Sequence, residues 1–278
     1  MKSRSATGDP DEPVRSVLRA RAHGTPQSRF EKMAATAPNY EIQDRTIRFP
    51  VEVRDASSGA ATFLVPSAAA LRLIPPEFEP AEVLPGRGIC SVAMVDYRDN
   101  DLGDYNEIAI GFMVHPRGAG PRIPWLGSLR ELITGRLASH IIHMPVDQSF
   151  TCDAGSIIWG YPKTVQQIDI ELTEDRARAR LVYEGRHALS LTLPRGGDRS
   201  LTGSRITTLS LIQGVPHRTT ATQEIEGMGV RLGGRGVELE LGSGPIADEL
   251  RSLGLPKRAL MSTWMERMQA RFARPERL

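Results

Sequence analysis

From Thr46 to Leu241 the chain is a succession of short apolar runs separated by turn-forming residues. Runs of this length between Gly, Pro, Asn and Asp are typical of β-strands. So many brief strands with few helical segments favour an antiparallel barrel or sandwich over a doubly wound parallel sheet. The sequence therefore predicts an α+β fold, a mostly antiparallel β-barrel or sandwich of about ten strands with a few packed helices. The predicted strands are Thr46–Val53, Ala61–Val65, Ile89–Tyr97, Glu107–His115, His140–Val146, Val165–Thr173, Ala177–Tyr183, His187–Leu193, Ile206–Ile212, Gly227–Leu232 and Val237–Leu241.

Helical patterns are fewer. The segment Pro256–Phe272 repeats large apolar residues at every fourth position, which indicates a helix that packs against the barrel. The glycine-rich run at 233–236 lies between two predicted strands and is expected to form a hairpin turn, not a phosphate loop. The predicted helices are Val14–Ala22, Ala68–Ile74, Trp125–Leu137, Pro245–Leu253 and Pro256–Phe272.

The first forty residues differ in texture from the rest. They mix Arg, Pro, Ser, Gly and Asp, which predicts a mobile or partner-contacting arm over residues 1–40. Residues 41–278 are expected to form a single domain. The segment Met1–Pro13 is polar and lacks the apolar stretch of a signal peptide. We also expect a homo-oligomer, to which the arm and the helix Trp125–Leu137 would contribute contacts.

Charge and composition exclude several functional classes. The net charge is +2, with 35 basic and 33 acidic residues interspersed along the chain. The sequence therefore lacks the basic patch of a nucleic-acid-binding protein. No apolar run approaches the ~18 residues of a membrane span. Two cysteines are too few for a disulfide framework, so a cytoplasmic location is expected. His140 and His143 lie three apart on a predicted strand and should face opposite sides, so we expect no metal site, and no cofactor.

Lys163 is one of only four lysines, and it follows an uncharged stretch, Gly155–Pro162. Burial among apolar groups disfavours an ammonium and lowers its pKa. A neutral amine can attack a ketone and form an imine. Pro162 fixes the backbone just before the lysine and would aim its side chain. The spacing alone also fits the commoner arrangement, a lysine that extends to the surface.

Glu107 opens an otherwise apolar predicted strand. A buried glutamate at this position would exchange protons with a substrate carbon or oxygen. The alternative is an exposed residue at the start of the strand. The residues alone leave both interpretations open.

Taken together, these segments resemble the acetoacetate decarboxylase superfamily. The resemblance rests on the pattern Gly-x-Tyr-x-Glu at 103–107 and on Tyr161-Pro162-Lys163, and it extends weakly from about Ala61 to Phe272. It implies that Lys163 forms a Schiff base and that Glu107 is an acid or base in the pocket. It further implies that Met144 and Tyr161 line the substrate pocket, and Trp159 is expected in the apolar wall beside them.

Three features depart from the pattern of that family. Thr164 stands where a second lysine usually follows the nucleophile. A second pocket glutamate expected before the Gly-x-Tyr-x-Glu loop has no counterpart, and no arginine matches the position that would bind a substrate carboxylate. Arg48 and Arg54 lie near the right region but do not match.

The expected function is that of a lyase whose Lys163 forms an imine with a keto or oxo acid, with decarboxylation of a β-keto acid as the first choice. The same imine could serve an aldolase, a dehydratase or a cyclase. The departures above shift some weight from a decarboxylase to these alternatives. A barrel that binds a small apolar molecule without chemistry is the remaining alternative, and an assembly component is a third class.

Overall fold

The computed structural model describes residues 39–278. In this part of the chain there are four helices, α1 (Ser67–Ala70), α2 (Pro124–Ile133), α3 (Ser149–Trp159) and α4 (Pro245–Ser252). The strands are β1 (Tyr40–Ile42), β2 (Arg45–Ile47), β3 (Val51–Pro66), β4 (Phe78–Pro80), β5 (Arg87–Asn100), β6 (Tyr105–Pro116), β7 (Ala138–Val146), β8 (Lys163–Val165), β9 (Gln167–Leu172), β10 (Arg176–Tyr183), β11 (Arg186–Pro194), β12 (Arg199–Ile212), β13 (Val215–Leu232), β14 (Glu238–Leu241), β15 (Met261–Phe272) and β16 (Glu276–Arg277).

Seven long strands close into a barrel in the order β6-β5-β3-β15-β13-β12-β7, with β7 returning to β6. Most neighbours are antiparallel, but β7 pairs in parallel with β12 and with the short strand β8. The predicted fold class is therefore confirmed, with the difference that the barrel is mixed. The parallel pairing of β8 arises because α3 crosses over between β7 and β8, as parallel neighbours require.

A separate four-stranded sheet, in the order β14-β11-β10-β9, covers part of the outer wall of the barrel. Its inward residues Ala179, Leu181 and Leu191 pack with Ile110 and Phe112 of β6 in one buried cluster. Along β10, Ala177, Ala179 and Leu181 are buried and the arginines between them are exposed. This outer core is where most of the large aliphatic side chains lie.

The predicted helix at Pro256–Phe272 is wrong, because this segment is mainly strand β15. A repeat at every fourth residue fits a helix, but it also fits a strand, whose period of two divides four. Residues four positions apart in this strand do not all point to the same face of the sheet. Trp264 packs in the outer core and Met268 faces the barrel interior. A register shift between Met265 and Met268 separates them.

Other boundaries also differ from the prediction. Thr46–Val53 and Ala61–Val65 belong to β2 and to one long strand, β3, while β12 and β13 extend well beyond their predicted ends. The glycine run at 233–236 forms a turn, but it connects strands of two different sheets and is not a hairpin. The helix Ala68–Ile74 is shortened to α1, whereas α2 and α4 lie close to their predicted positions.

Two predictions fall on parts of the chain outside the described residues. The arm predicted over residues 1–40 is described only at its last two residues, of which Tyr40 begins β1, and the helix predicted at Val14–Ala22 lies entirely outside. Both stay predictions. Between residues 39 and 278, no helix is long and apolar enough to cross a membrane.

Candidate active site

The interior of the barrel holds a cavity of about 250 Å³. Successive lining residues on β6, Tyr105, Glu107 and Ala109, occupy alternate positions, as the pleat of a strand requires. The other strands of the barrel and the end of α3 complete the wall of this cavity. We call the cavity the chamber. Among the described residues that line the chamber, only Glu107 and Lys163 carry charge.

Lys163 reaches the chamber because of how α3 ends. Gly160 closes the helix in the left-handed conformation (φ 65°), and a Cβ there would lie 2.3 Å from the carbonyl oxygen of Leu211. Only glycine satisfies both conditions. Tyr161 and Pro162 then lead into β8, where Lys163 lies opposite Met144 of β7.

The alkyl stem of Lys163 crosses α3 at a glycine. A Cβ built on Gly155 would lie 2.5 Å from Cε and 2.6 Å from Cδ of the lysine. Four residues earlier on the same helix face, the hydroxyl of Thr151 accepts a hydrogen bond from Nζ at 3.2 Å. The helix therefore provides a groove for the stem and an acceptor for the amine.

The amine of Lys163 and the carboxylate of Glu107 form a buried ion pair, with Nζ 2.8 Å from Oε2. Their side chains are only 4% and 6% exposed. Glu107 is held by its neighbours on both sides, because β6 pairs with Val95 of β5 and with Val146 of β7 at this residue. The Lys163 nitrogen also lies 4.9 Å from the centre of the Tyr105 ring.

The pKa of Lys163 lies above its ordinary value, which corrects the expectation that burial would lower it. Burial does disfavour the ammonium, but the adjacent Glu107 carboxylate and the phenol of Tyr105 outweigh that effect. The lysine is shielded from water, which is one of the two arrangements that its sequence context allowed. The interior that excludes water also brings a carboxylate within hydrogen-bonding distance, so the amine is neutral only when its proton moves away.

Tyrosines surround the ion pair. Tyr97 and Tyr105 stack with ring centres 4.4 Å apart. Burial raises the pKa of both phenols, and it raises that of Tyr161 to about 12. All three phenols therefore remain neutral hydrogen-bonding groups near neutral pH. Neither Tyr97 nor Thr151 was predicted, and Tyr105 was part of the motif without a role. Thr151 could have been found from its spacing of four from Gly155, had α3 been predicted.

The structure brings the five predicted site residues together. Met144, Trp159 and Tyr161 line the chamber with Lys163 and Glu107. The Tyr161 hydroxyl lies 2.7 Å from the hydroxyl oxygen of Thr208, and Trp159 Nε1 donates to the carbonyl of Ala273 at 3.1 Å. Their positions agree with a shared pocket, and their individual roles stay predictions.

A register shift on β7 decides which side chains face inward. Ser139 and Ile141 line the chamber, yet so does Met144, three residues further on. The shift in pairing at Ile110 and Gly111 of β6 adds one residue to β7 and reverses the alternation. The bulge is thus what turns Met144, the neighbour of Lys163, toward the chamber.

The same bulge corrects the expectation that His140 and His143 face opposite sides. Both lie outside the chamber. His140 Nδ1 bonds the carbonyl oxygen of Leu209 at 2.8 Å, and His143 Nε2 lies 2.6 Å from a carboxylate oxygen of Glu249. Within residues 39–278 there is no group of three or more His, Cys, Asp or Glu that could hold a metal ion.

Neither arginine considered in the sequence lies at the chamber. Arg54 pairs with Asp99 at 2.8 Å and with Asp101 at 2.7 Å, and Arg48 is not a lining residue. Glu107 is the only carboxylate among the described lining residues. The departures noted in the sequence are therefore present in the chamber itself.

Comparison with known proteins gives the following matches. The sequence model of the family described as acetoacetate decarboxylase (ADC) matches residues 36–271. A search of curated proteins finds no match. Among solved structures, acetoacetate decarboxylase from Legionella pneumophila subsp. pneumophila str. Philadelphia 1 is 16% identical, with a TM-score of 0.60 over 84% of this chain and 90% of that chain.

Two further structures have the same fold. One, from structural studies of acetoacetate decarboxylase, is 16% identical with a TM-score of 0.58, over 84% of this chain and 90% of that chain. The other is the enduracididine biosynthesis enzyme MppR complexed with pyruvate, 14% identical with a TM-score of 0.55, over 84% of this chain and 93% of that chain. At these identities the likeness is one of fold.

Proposed function

Because the chain belongs to the acetoacetate decarboxylase family, we propose that it is an enzyme in which Lys163 forms an imine with a β-keto acid and decarboxylates it. Membership of the family supports a lysine-dependent enzyme that acts on a keto acid, and decarboxylation is the more specific proposal. The observation that carries it is the buried pair of Lys163 and Glu107, 2.8 Å apart at the wall of a chamber whose other described lining residues are uncharged.

The first step is transfer of a proton within the ion pair. An ammonium has no free electron pair, so Lys163 must pass a proton from Nζ to Oε2 of Glu107 before it can attack. Burial favours this transfer, because it converts two buried charges into two neutral groups. A substrate that fills the chamber and displaces water strengthens the preference. The raised pKa of Lys163 is thus a property of the free protein, in which Glu107 is ionised.

The neutral amine then attacks the keto carbon and gives a carbinolamine. Glu107 returns its proton to the carbinolamine oxygen, water leaves, and a cationic iminium remains. The bond to the carboxylate breaks, CO2 departs, and the electron pair moves into the iminium to give an enamine. Glu107 takes up one proton from solvent and delivers it to the enamine carbon. Hydrolysis by water releases the ketone and restores the ammonium.

The chamber promotes loss of CO2 because its described lining residues provide no cation besides the lysine that forms the iminium. The substrate carboxylate meets no arginine among the described lining residues, so it is poorly solvated there. CO2 is neutral and loses little in the same surroundings. The transition state, in which the negative charge moves toward the iminium nitrogen, is therefore stabilised relative to the bound acid.

An aldolase or dehydratase is the second candidate, because the same enamine can attack an aldehyde. It is favoured by the departures from the family's pattern, because the described lining residues include neither a second carboxylate nor an arginine. Measuring released CO2 against condensed product with the same keto acid separates the two reactions.

The test of the imine is reduction by borohydride in the presence of keto acids, followed by peptide mapping. We expect a mass adduct at Lys163 and none in Lys163→Ala, whose fold should be unchanged. Lys257→Ala is a matched control, because Lys257 is exposed and outside the chamber. Turnover by Lys163→Ala would refute the mechanism. Tight binding of keto acids with no adduct in the native protein would indicate a binding barrel instead.

A further inference from the structure

The chamber extends well beyond the ion pair. Its volume of about 250 Å³ equals that of roughly eight water molecules at about 30 Å³ each. The lysine and the glutamate are both on its wall, near the ends of β8 and β6. Space is therefore left for atoms of the substrate beyond its keto and carboxylate groups.

The wall next to Glu107 is made of small apolar side chains. Ala93 of β5 and Ala109 of β6 lie directly opposite each other, and Ala109 is two residues, about 7 Å, along the strand from Glu107. Both alanines are partly exposed, whereas Met94 and Ile108 on the opposite face of the same strands are 1% exposed under the four-stranded sheet. The exposure of the alanines is therefore exposure to the chamber.

Further from the ion pair the wall remains apolar. The lining residues here come from four strands and are Val51, Val53, Ile141, Ile206, Met268 and Phe272. Such a surface gains free energy when it contacts an alkyl or aryl group, because apolar area is removed from water on both sides.

Three polar side chains of the chamber are bonded to other groups of the protein. The Ser58 hydroxyl donates to the carbonyl of Met94 at 3.2 Å, and the Asn100 amide donates to the carbonyl of Gly103 at 2.6 Å. The Gln223 amide lies 3.1 Å from the sulfur of Met268. Lys163 is the only cation among the described lining residues, and its ammonium gives up a proton at the start of imine formation.

We propose that the substrate is a keto acid whose keto carbon bears an apolar tail of several carbons, and that this tail lies against Ala93 and Ala109. The inference rests on the proposed function, which it sharpens by naming the substrate class. Binding of the tail supplies the free energy that offsets removal of the carboxylate from water. Short polar keto acids lack this contribution and bind weakly.

The experiment measures borohydride trapping at Lys163 across a series of methyl ketones, namely acetone, 2-pentanone, 2-heptanone and 2-nonanone, with pyruvate as a short keto acid. Burial of each methylene in an apolar site raises affinity by at most about fourfold. We expect the half-saturating concentration to fall at least tenfold from acetone to 2-heptanone, and pyruvate to label no better than acetone.

A chamber-filling variant tests the location of the tail. Ala109→Leu should lower the ratio of 2-heptanone to acetone labelling at least fivefold, and Ala119→Leu, at an exposed loop position, should leave that ratio unchanged. Adducts that form equally well along the series, or best with pyruvate, would overturn the inference and leave the imine intact. Failure to form an adduct with any carbonyl compound would refute the proposed function itself, and the substrate class with it.

Discussion

The two faces of β5 and β6 show how one pair of strands serves two purposes. On the outer face, Val92, Met94, Ile108 and Ile110 are fully buried against the four-stranded sheet. On the inner face, the alternate residues leave a chamber that contains a buried ion pair. The outer face contributes stability through packing, whereas the inner face leaves space unfilled and buries charge. Stability and chemistry are therefore separated by single positions along the strand.

The separation is most severely tested at Glu107. In Glu107→Gln the ammonium of Lys163 loses its carboxylate, burial is opposed only by Tyr105, and the pKa of Lys163 falls. Trapping by borohydride should persist, while the rate of turnover should fall by about 10²–10⁴, the usual contribution of a general acid or base. The pH dependence of trapping reports the pKa directly.

Glu171→Gln, at an exposed position of β9, is the matched control and should change neither quantity. Loss of trapping in Glu107→Gln would show that a lowered pKa of Lys163 cannot replace the carboxylate as the proton acceptor that precedes attack.

A substitution in the outer core should have the opposite result, a loss of stability without a loss of chemistry. Leu191 of β11 is 1% exposed, and Leu191→Ala should lower the free energy of unfolding by about 2–5 kcal/mol through lost contacts and the cavity left behind. Trapping at a temperature where the variant is folded should equal that of the native protein. Denaturant unfolding and trapping on the same sample measure both. A large fall in trapping of the folded variant would mean that the two faces are coupled.

A smaller effect is expected where α3 meets the lysine. In Gly155→Ala the new methyl would lie 2.5 Å from Cε of Lys163, so the stem must move and the amine with it. We expect trapping to slow by about tenfold to a hundredfold, because displacement of a reacting atom by about 1 Å has effects of this size. Ser156→Ala, at the adjacent helix position, leaves the hydrogen bonds of the Lys163 amine to Glu107 and Thr151 in place and should leave the rate unchanged.

The smallest effect is on stability at alkaline pH. Because the pKa of Lys163 is raised above 10.5 on folding, the folded protein binds this proton more tightly than the unfolded chain does. Its contribution to stability is therefore complete below about pH 10.5 and is lost as the pH rises through the higher folded value. Lys163→Met lacks this contribution, so its free energy of unfolding should fall less between about pH 9 and about pH 12.

The buried tyrosines also weaken the fold at alkaline pH. Because the Lys163 ammonium acts to lower the pKa of Tyr105 and Tyr161, the difference between the two curves reports the lysine together with its effect on these two phenols. Parallel curves would show that Lys163 is not stabilised as an ammonium by folding.

Much of the site could be predicted from the sequence because its motifs are local. Tyr161, Pro162 and Lys163 are consecutive, and the Gly-x-Tyr-x-Glu pattern places Glu107 at a strand start. The partners of these residues could not be predicted in the same way. Thr151 and Gly155 depend on α3, for which no helix was predicted, and Tyr97 reaches Tyr105 only through the pairing of β5 with β6.

The errors also have physical causes. A repeat at every fourth residue does not distinguish a helix from a strand, which is why Pro256–Phe272 was assigned to the wrong element. The extra residue in β7 has no sequence signature, yet it decides that Met144 faces the chamber and that His140 and His143 lie on the same side.

What the amino-acid order determined alone is the β-rich class, the alternation along strands such as β10, and the two short motifs that carry Lys163 and Glu107. These are properties of neighbouring residues, which local sterics and periodicity encode. Only the tertiary structure decided that the amine of Lys163 is paired with a carboxylate and not merely shielded from water. Residues 56 positions apart meet at 2.8 Å, and the charge on each depends on the other. The protonation state of a buried group is set by everything that folding brings around it, and no local pattern contains that information.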